Sequence, residues 1–443
     1  MPENAVSRAM LAGLLATLVF AAISAWAKFP FMADDFIFLR NAADPGNPYT
    51  LGDLGKFITR APVYSVVTYA VFKTRIWEHT WALLYVFFFV HAFSLALIVE
   101  WFWRELGAGG SRVSRVGLAV LVALLPSNHE VLYWPLCMPY VLGSTFVALG
   151  LWARAPFVRG LWFLASFAVL ETFVLATLAL VLAPAVLLSA RAAGPLETVT
   201  RTVRASWPVI ATWAAALAVF FALRKLLAPV YGAWVYELTL EPSHFLRQST
   251  QIFEMLFVTH FYRINWVSTF LELGAVALAL RWLARGRDGE PVVRPRQAAW
   301  MPILLFASVA NLVILSYYAP RAFYGGYLLR QALVAWILLL LWQTGPARLR
   351  RSVIGAIAVA YLAHSFVIFA NKNKNARQMS ERETRWIEQM KTCEAPCVIE
   401  AGNPAAGLKY DWILPEMFWD VYFEWLIHRH APGKAIQFKT SRE

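Results

Sequence analysis

Two adjacent carboxylates, Asp34 and Asp35, follow the first long apolar run of the chain (Met10 to Ala27) in the segment Phe31-Met32-Ala33-Asp34-Asp35-Phe36. Carboxylates beside hydrocarbon are costly to keep and mark chemistry. More polar groups occur where later apolar runs are joined. His129 and Glu130 end Pro126-Ser127-Asn128-His129-Glu130, Glu171 sits in Leu170-Glu171-Thr172, and Tyr317-Tyr318-Ala319-Pro320-Arg321 runs on to Arg330. Alternation of the runs across a membrane brings all of these to one face. Acids and arginines on one face suit displacement of an anionic leaving group. Guanidinium groups pair bidentately with a phosphate and stabilise the charge as it departs. A carboxylate takes the proton of the incoming hydroxyl. A polyprenyl-phosphate sugar supplies such a leaving group, with its lipid in the bilayer and its phosphate at the interface. Direct attack at the anomeric carbon would be inverting.

The elements that must hold these residues are membrane helices. Of 443 residues, 59% are hydrophobic and 15% charged, and mean hydropathy is +0.54; soluble domains carry about a quarter charged residues. The sequence predicts an all-α polytopic membrane protein with about eleven spans, at 10–27, 80–103, 113–127, 139–153, 160–171, 173–190, 207–224, 266–284, 300–317, 328–343 and 352–370. The net charge of +13 is no nucleic-acid signature, because the arginines lie mostly in short connectors between apolar runs. That pattern orients helices, with Lys and Arg on the cytoplasmic side. Arg104, Arg112 and Arg115, then Arg154 and Arg159, Arg191, Arg201 and Arg204, and Arg348, Arg350 and Arg351 fall on alternate connectors. They predict a cytoplasmic N-terminus and an extracytoplasmic C-terminus. The stretch 160–190 would make one helix of about 46 Å, too long for a bilayer core and flanked by arginine on both sides. Two short spans turning at Glu171-Thr172 answer both facts. Arg8, an apolar stretch and Ala25-Trp26-Ala27 resemble a signal peptide, but the apolar part exceeds the usual length, so an uncleaved first helix is expected.

Two domains follow: a transmembrane part over 1–370, whose first outer loop is 28–79, and a small exported segment over 371–443. Phe57 to Trp77 reads as an interfacial amphipathic stretch. The near balance of acids and bases in the tail, with aromatic clusters such as Trp419 to Trp425, predicts a folded appendage. Cys393 and Cys397 are spaced for a small disulfide loop if the tail is exported, and Cys137 reads as packing.

Ala33-Asp34-Asp35-Phe36 after the first span resembles the acidic motif of the GT-C glycosyltransferase superfamily. Arg60-Ala61-Pro62-Val63 resembles the Arg-Pro-Leu segment of its first loop, and His91-Ala92-Phe93 through Leu106 its second helix. Pro126 to Trp134 resembles the Pro-x-x-x-Glu-x-x-x-Trp loop of tetratricopeptide-bearing O-mannosyltransferases and their bacterial relatives, and Leu170-Glu171-Thr172 stands where that group has Ser-Lys-Glu. The likeness covers roughly residues 1–190 and weakens toward 370. It departs from the pattern in lacking the Lys of Ser-Lys-Glu, in Tyr133-Trp134-Pro135, and in having no tetratricopeptide array.

The resemblance implies a general base at Asp34 or Asp35, with Asp35 favoured, and substrate positioning by His129, Glu130 and Glu171. Arg321 or Arg330 would hold the phosphate. It implies a bacterial cytoplasmic membrane, a polyprenyl-phosphate-sugar donor and a protein, lipid-linked or envelope-glycan acceptor. A divalent metal is allowed but not required. Plainer roles stand beside these: Asp34 and Asp35 as helix caps, Arg330 as an anchor reaching to headgroups, His91 in packing, His428 and His430 in solvent, and Glu272 and Asn311 bonded between helices. A flippase of lipid-linked sugars, or an O-antigen polymerase or ligase, is the alternative class.

Overall fold

The computed structural model describes residues 3–27, 50–74, 80–124, 137–233, 241–253, 266–286, 289–310, 324–394, 396–406, 408, 416 and 419–440. In chain order the helices are α1 (Glu3–Ser24), α2 (Lys56–Arg60), α3 (Pro62–Lys73), α4 (Thr80–Glu105), α5 (Arg112–Ala123), α6 (Val141–Trp152), α7 (Pro156–Val169) and α8 (Phe173–Ser189). They continue with α9 (Pro195–Tyr231), α10 (Pro242–Phe253), α11 (Trp266–Arg285), α12 (Pro295–Ala307), α13 (Tyr324–Thr344), α14 (Ala347–Thr392) and α15 (Trp419–His430). Strands β1 (Cys397–Gly402) and β2 (Ile436–Thr440) bracket α15.

Every apolar run expected to span contains one of these helices. Six, namely α1, α4, α9, α11, α13 and α14, are long and apolar enough to cross a membrane. The others, α5, α6, α7, α8 and α12, are shorter. The stretch 160–190 is divided as expected: α7 stops at Val169, Leu170 is extended at φ −160°, and α8 starts at Phe173. The first connector holds α2 and α3, in the place of the expected interfacial stretch.

The helices sort by what they face. On α13 every residue from Tyr324 to Leu339 is buried, so this helix is the centre of the bundle. It packs on α4, α5, α8, α11, α12 and α14. By contrast α1, α9, α11 and α14 expose Leu18, Phe221, Phe270 and Phe366. Such apolar faces fit hydrocarbon as the solvent, where the chain needs no polar exterior.

One carboxylate ties three helices at the Arg-rich end. Arg8 of α1 donates to Glu100 of α4 from Nε at 2.7 Å and from Nη2 at 2.8 Å. Arg115 of α5 donates to the same carboxylate from Nη1 at 2.9 Å. Glu100 is only 3% exposed. Removing one partner of a buried ion pair strands the other charge at a cost of about 3–5 kcal/mol. Glu100→Gln therefore lowers the thermal midpoint in detergent well below that of wild type, whereas Glu105→Gln, at an exposed pair, leaves it close to wild type.

Beyond its apolar part α14 continues without a break, so the expected boundary at 370/371 falls inside one 46-residue helix, far longer than a bilayer is thick. Its polar half is the stem of the C-terminal unit. The chain is nearly all helical, as expected; among the described residues β1 and β2 add one parallel two-stranded sheet, joined through α15. The alternating burial of Cys397, Val398, Ile399 and Glu400 against the stem explains the strand. Phe423 of α15 stacks on Phe438 of β2 at 4.0 Å, and Trp386 of the stem meets Phe423 edge-on at 5.4 Å. A Cys393–Cys397 disulfide closes the bend between stem and sheet.

Under this small core the Tyr422 hydroxyl donates to Glu383 Oε1 at 2.8 Å. Burial holds the Glu383 carboxyl above the usual carboxylate range, against the downward pull of Tyr422 and Arg429. A carboxyl whose pKa rises on folding contributes fully at low pH and loses that contribution as pH climbs through the raised value. The appendage is therefore expected to loosen as pH rises above the ordinary carboxylate range. Hydrogen exchange over residues 380–440 measures this, and Glu383→Gln flattens the dependence.

Candidate functional site

The site is best built from Arg60. A turn at Gly55, whose φ of +47° suits glycine, starts α2 after a 3-10 turn at Leu51–Leu54. Pro62 then opens α3 and disfavours helical geometry at Ala61, which lies outside the helical region at φ −143°, ψ 71°. The chain bends there, and Arg60 ends α2 with its side chain directed into the bundle. Its Nε and Nη2 both donate to Glu171 Oε1, at 2.9 and 2.6 Å. The two side chains are 7% and 9% exposed. Thr59 beside it donates to the carbonyl of Gly232, at the end of α9, at 2.8 Å. Tyr64 of α3 stacks on Tyr140, before α6, at 4.5 Å. The first connector is thus bolted to three other segments at one end of the bundle.

Glu171 stands in the break between α7 and α8, and the neighbouring packing explains why the break is rigid. The Phe173 ring occupies the space where a Cβ on Gly143 of α6 would lie, 2.2 Å from the ring. A Cβ on Gly325 of α13 would come within 2.5 Å of Ala176. Two glycines therefore let α6 and α13 clamp the start of α8. Tyr324, the first residue of α13, meets Phe173 edge-on at 6.0 Å and hydrogen-bonds His91 Nδ1 at 2.6 Å. His91 is accordingly a packing histidine tied to this same end.

A second buried charge pair lies one to two turns into the bundle. Arg330 of α13 donates from Nη2 to Glu272 Oε1 of α11 at 2.7 Å, and the Tyr361 hydroxyl of α14 donates to the same oxygen at 2.9 Å. Arg330 is 5% exposed and so is no headgroup anchor. Its Nη1 lacks a partner among the described residues, as do both polar atoms of the adjacent Gln331. Glu272 is bonded between helices, as its apolar surroundings led us to expect.

Of the residues singled out in the sequence, Asp34, Asp35, His129, Glu130, Arg321 and Asn311 lie outside the described residues. The structure brings Glu171 to Arg60 and Arg330 to Glu272, as two separate pairs. Phe20 lies 5.6 Å from Phe369 and Trp26 lies 5.4 Å from Phe366, so the far end of α1 sits beside α14 just before its polar run. In that run Asn371, Lys372, Asn373 and Asn375 are all buried. The sequence places these residues at the start of the small exported segment, with no motif to mark them as buried. The readable signal was a polar Asn-Lys-Asn-Lys-Asn stretch placed directly after an apolar helix with nothing to stop it. Among the described residues no three His, Cys, Asp or Glu side chains gather as a metal would require, and His428 and His430 have no third ligand beside them.

Compared with known protein families, curated proteins and solved structures, the chain matches none.

The Arg60–Glu171 pair makes a sharp expectation. Arg60→Gln and Glu171→Gln each destabilise by about 3–5 kcal/mol, and the double variant by much less than the sum. Denaturation in detergent reads the coupling; additive effects would mean that the two charges do not depend on one another.

Proposed function

We propose that the chain is a GT-C-type membrane glycosyltransferase, moving a monosaccharide from a polyprenyl-phosphate donor to a protein, lipid-linked or envelope-glycan acceptor. The observation that carries this reading is the buried bond between Arg60 and Glu171, 111 residues apart. Both belong to motifs that the family resemblance assigns to one active-site face, and neither motif predicts contact with the other by its own spacing. Two chain ends that lead to the segments of Glu130 and Arg321 lie beside this pair: Tyr140 stacks on Tyr64, four residues from Arg60, and Tyr324 meets Phe173, two residues from Glu171.

In the proposed reaction Asp34 or Asp35 accepts the proton of the acceptor hydroxyl. The acceptor oxygen bonds to the anomeric carbon as the bond to phosphate oxygen breaks, and the polyprenyl phosphate leaves with the electron pair. Arg321 and the spare Nη1 of Arg330 receive the phosphate charge, and the buried Lys372 adds a cation at the same end. His129 and Glu130 position the sugar or acceptor. Glu171 fixes Arg60 and thereby the first connector. The finer topology belongs to this reading: eleven crossings over 1–370, a cytoplasmic N-terminus and an extracytoplasmic 371–443 in a bacterial cytoplasmic membrane. Arginine at alternate connectors and a disulfide in the tail support it.

A transporter of lipid-linked sugars is the second reading, favoured by the Glu272–Arg330–Tyr361 group held among three spanning helices. Vesicles given a panel of radiolabelled polyprenyl-phosphate hexoses separate the two. The enzyme yields labelled acceptor, and Asp34→Asn or Asp35→Asn lowers the rate about 100-fold or more. Full transfer by both variants, or movement of donor across the vesicle without bond cleavage, would refute the catalytic reading.

A further inference from the structure

A cavity of about 280 Å³ opens at the other end of the bundle, where α4, α6, α7, α8 and α9 meet. It borders the last turn of α4, next to the Glu100 junction, and takes no part in the chemistry proposed above. Arg104, Glu105, Arg159 and Ser206 line its polar side, while Trp101 and Phe163 contribute to an apolar side of comparable extent. Both guanidinium groups are held in place. Arg104 lies over the Trp152 ring at 4.4 Å and bonds Glu105 at 2.5 Å. Arg159 spends one Nη2 hydrogen on the carbonyl of Ala153 at 2.7 Å. Two arginines and one glutamate leave a single positive charge on the lining, which is the complement of one phosphodiester. Pro184 in the wall cannot donate to the carbonyl of Leu180, and its ring opens α8 at that level.

The apolar half of the lining is wasted on a free phosphate ion but suits the glycerol and first acyl carbons that follow a headgroup. The same helices α7 and α9 also border a groove of about 540 Å³ lined by Phe157, Leu161, Leu164, Ala215 and Val219, an apolar lining of the character an acyl chain needs. Arginine-rich helix ends meet the anionic leaflet of a membrane. We propose that this cavity binds the phosphate headgroup of an anionic phospholipid, holding the ends of α4, α7 and α9 together at that face.

The purified full chain is placed in phosphatidylcholine nanodiscs, in nanodiscs with about a quarter phosphatidylglycerol, and in phosphatidylcholine nanodiscs with millimolar inorganic phosphate. Phosphatidylglycerol is expected to raise the thermal midpoint by several degrees and phosphate to leave it unchanged. The Arg104→Gln/Arg159→Gln variant loses that increment. So does Val209→Trp, which fills the cavity and leaves both arginines, and which decides the matter if the double variant does not fold. Arg201→Gln/Arg204→Gln, at exposed positions of α9, keeps the increment. The proposal fails if wild type shows no phosphatidylglycerol increment, if phosphate produces the same shift, if Val209→Trp keeps the increment, or if the Arg201/Arg204 control loses it.

Discussion

A charge shut away from water must find an opposite charge, and among the described residues of the helix bundle three carboxylates meet that demand. Glu100 gathers Arg8 and Arg115, Glu171 holds Arg60, and Glu272 holds Arg330 together with the Tyr361 hydroxyl. Each joins elements remote in the chain. Apolar packing alone would orient these helices weakly, because a leucine gains little by leaving lipid for another leucine. An ion pair discriminates strongly, since the wrong arrangement leaves a buried charge bare. The pairs contribute more to which helices meet, and in what rotation, than to net stability.

Around those fixed points the packing is close. Gly143 and Gly325 bring α6 and α13 against the first turn of α8, and Tyr324 joins that turn to His91 on α4. The result is a stiff end to the bundle on which the first connector is mounted. A rigid mount is what the proposed transfer would need, because the acid, the anomeric carbon and the leaving phosphate would have to stay aligned while bonds change. At the opposite end a wide cavity replaces such packing, with arginines at its lining. The two ends of one bundle are therefore built on different principles, close contact at one and an open, charged recess at the other.

The C-terminal unit adds a third piece of architecture. Because α14 runs without interruption from the apolar bundle into the stem of the appendage, the βαβ unit is coupled to the helices by a continuous rod. Trp386 seats the sheet and α15 on that rod. The buried Asn371–Asn375 run lies between the two parts, next to the end of α1.

Local properties were open to reading from the chain alone. The apolar runs, the arginine-marked connectors, the helices of the first connector and the turn at Leu170-Glu171-Thr172 all follow from the length and content of short segments, because each segment is judged against lipid or water and needs no partner to be judged. Pairings were not open in this way. Nothing within a few residues of Arg60 names Glu171 as its partner, and Arg330 looked like a headgroup anchor until α11 and α14 enclosed it. The burial of Asn371, Lys372, Asn373 and Asn375 was equally hidden, because it comes from the rest of the fold and not from the residues themselves. The strands were hidden for the same reason: Cys397–Gly402 and Ile436–Thr440 become a sheet only by meeting each other. The chain by itself determined where helices form and which of their ends carry charge; the tertiary structure decided which charges meet, because that depends on energies exchanged between segments up to 111 residues apart in the chain.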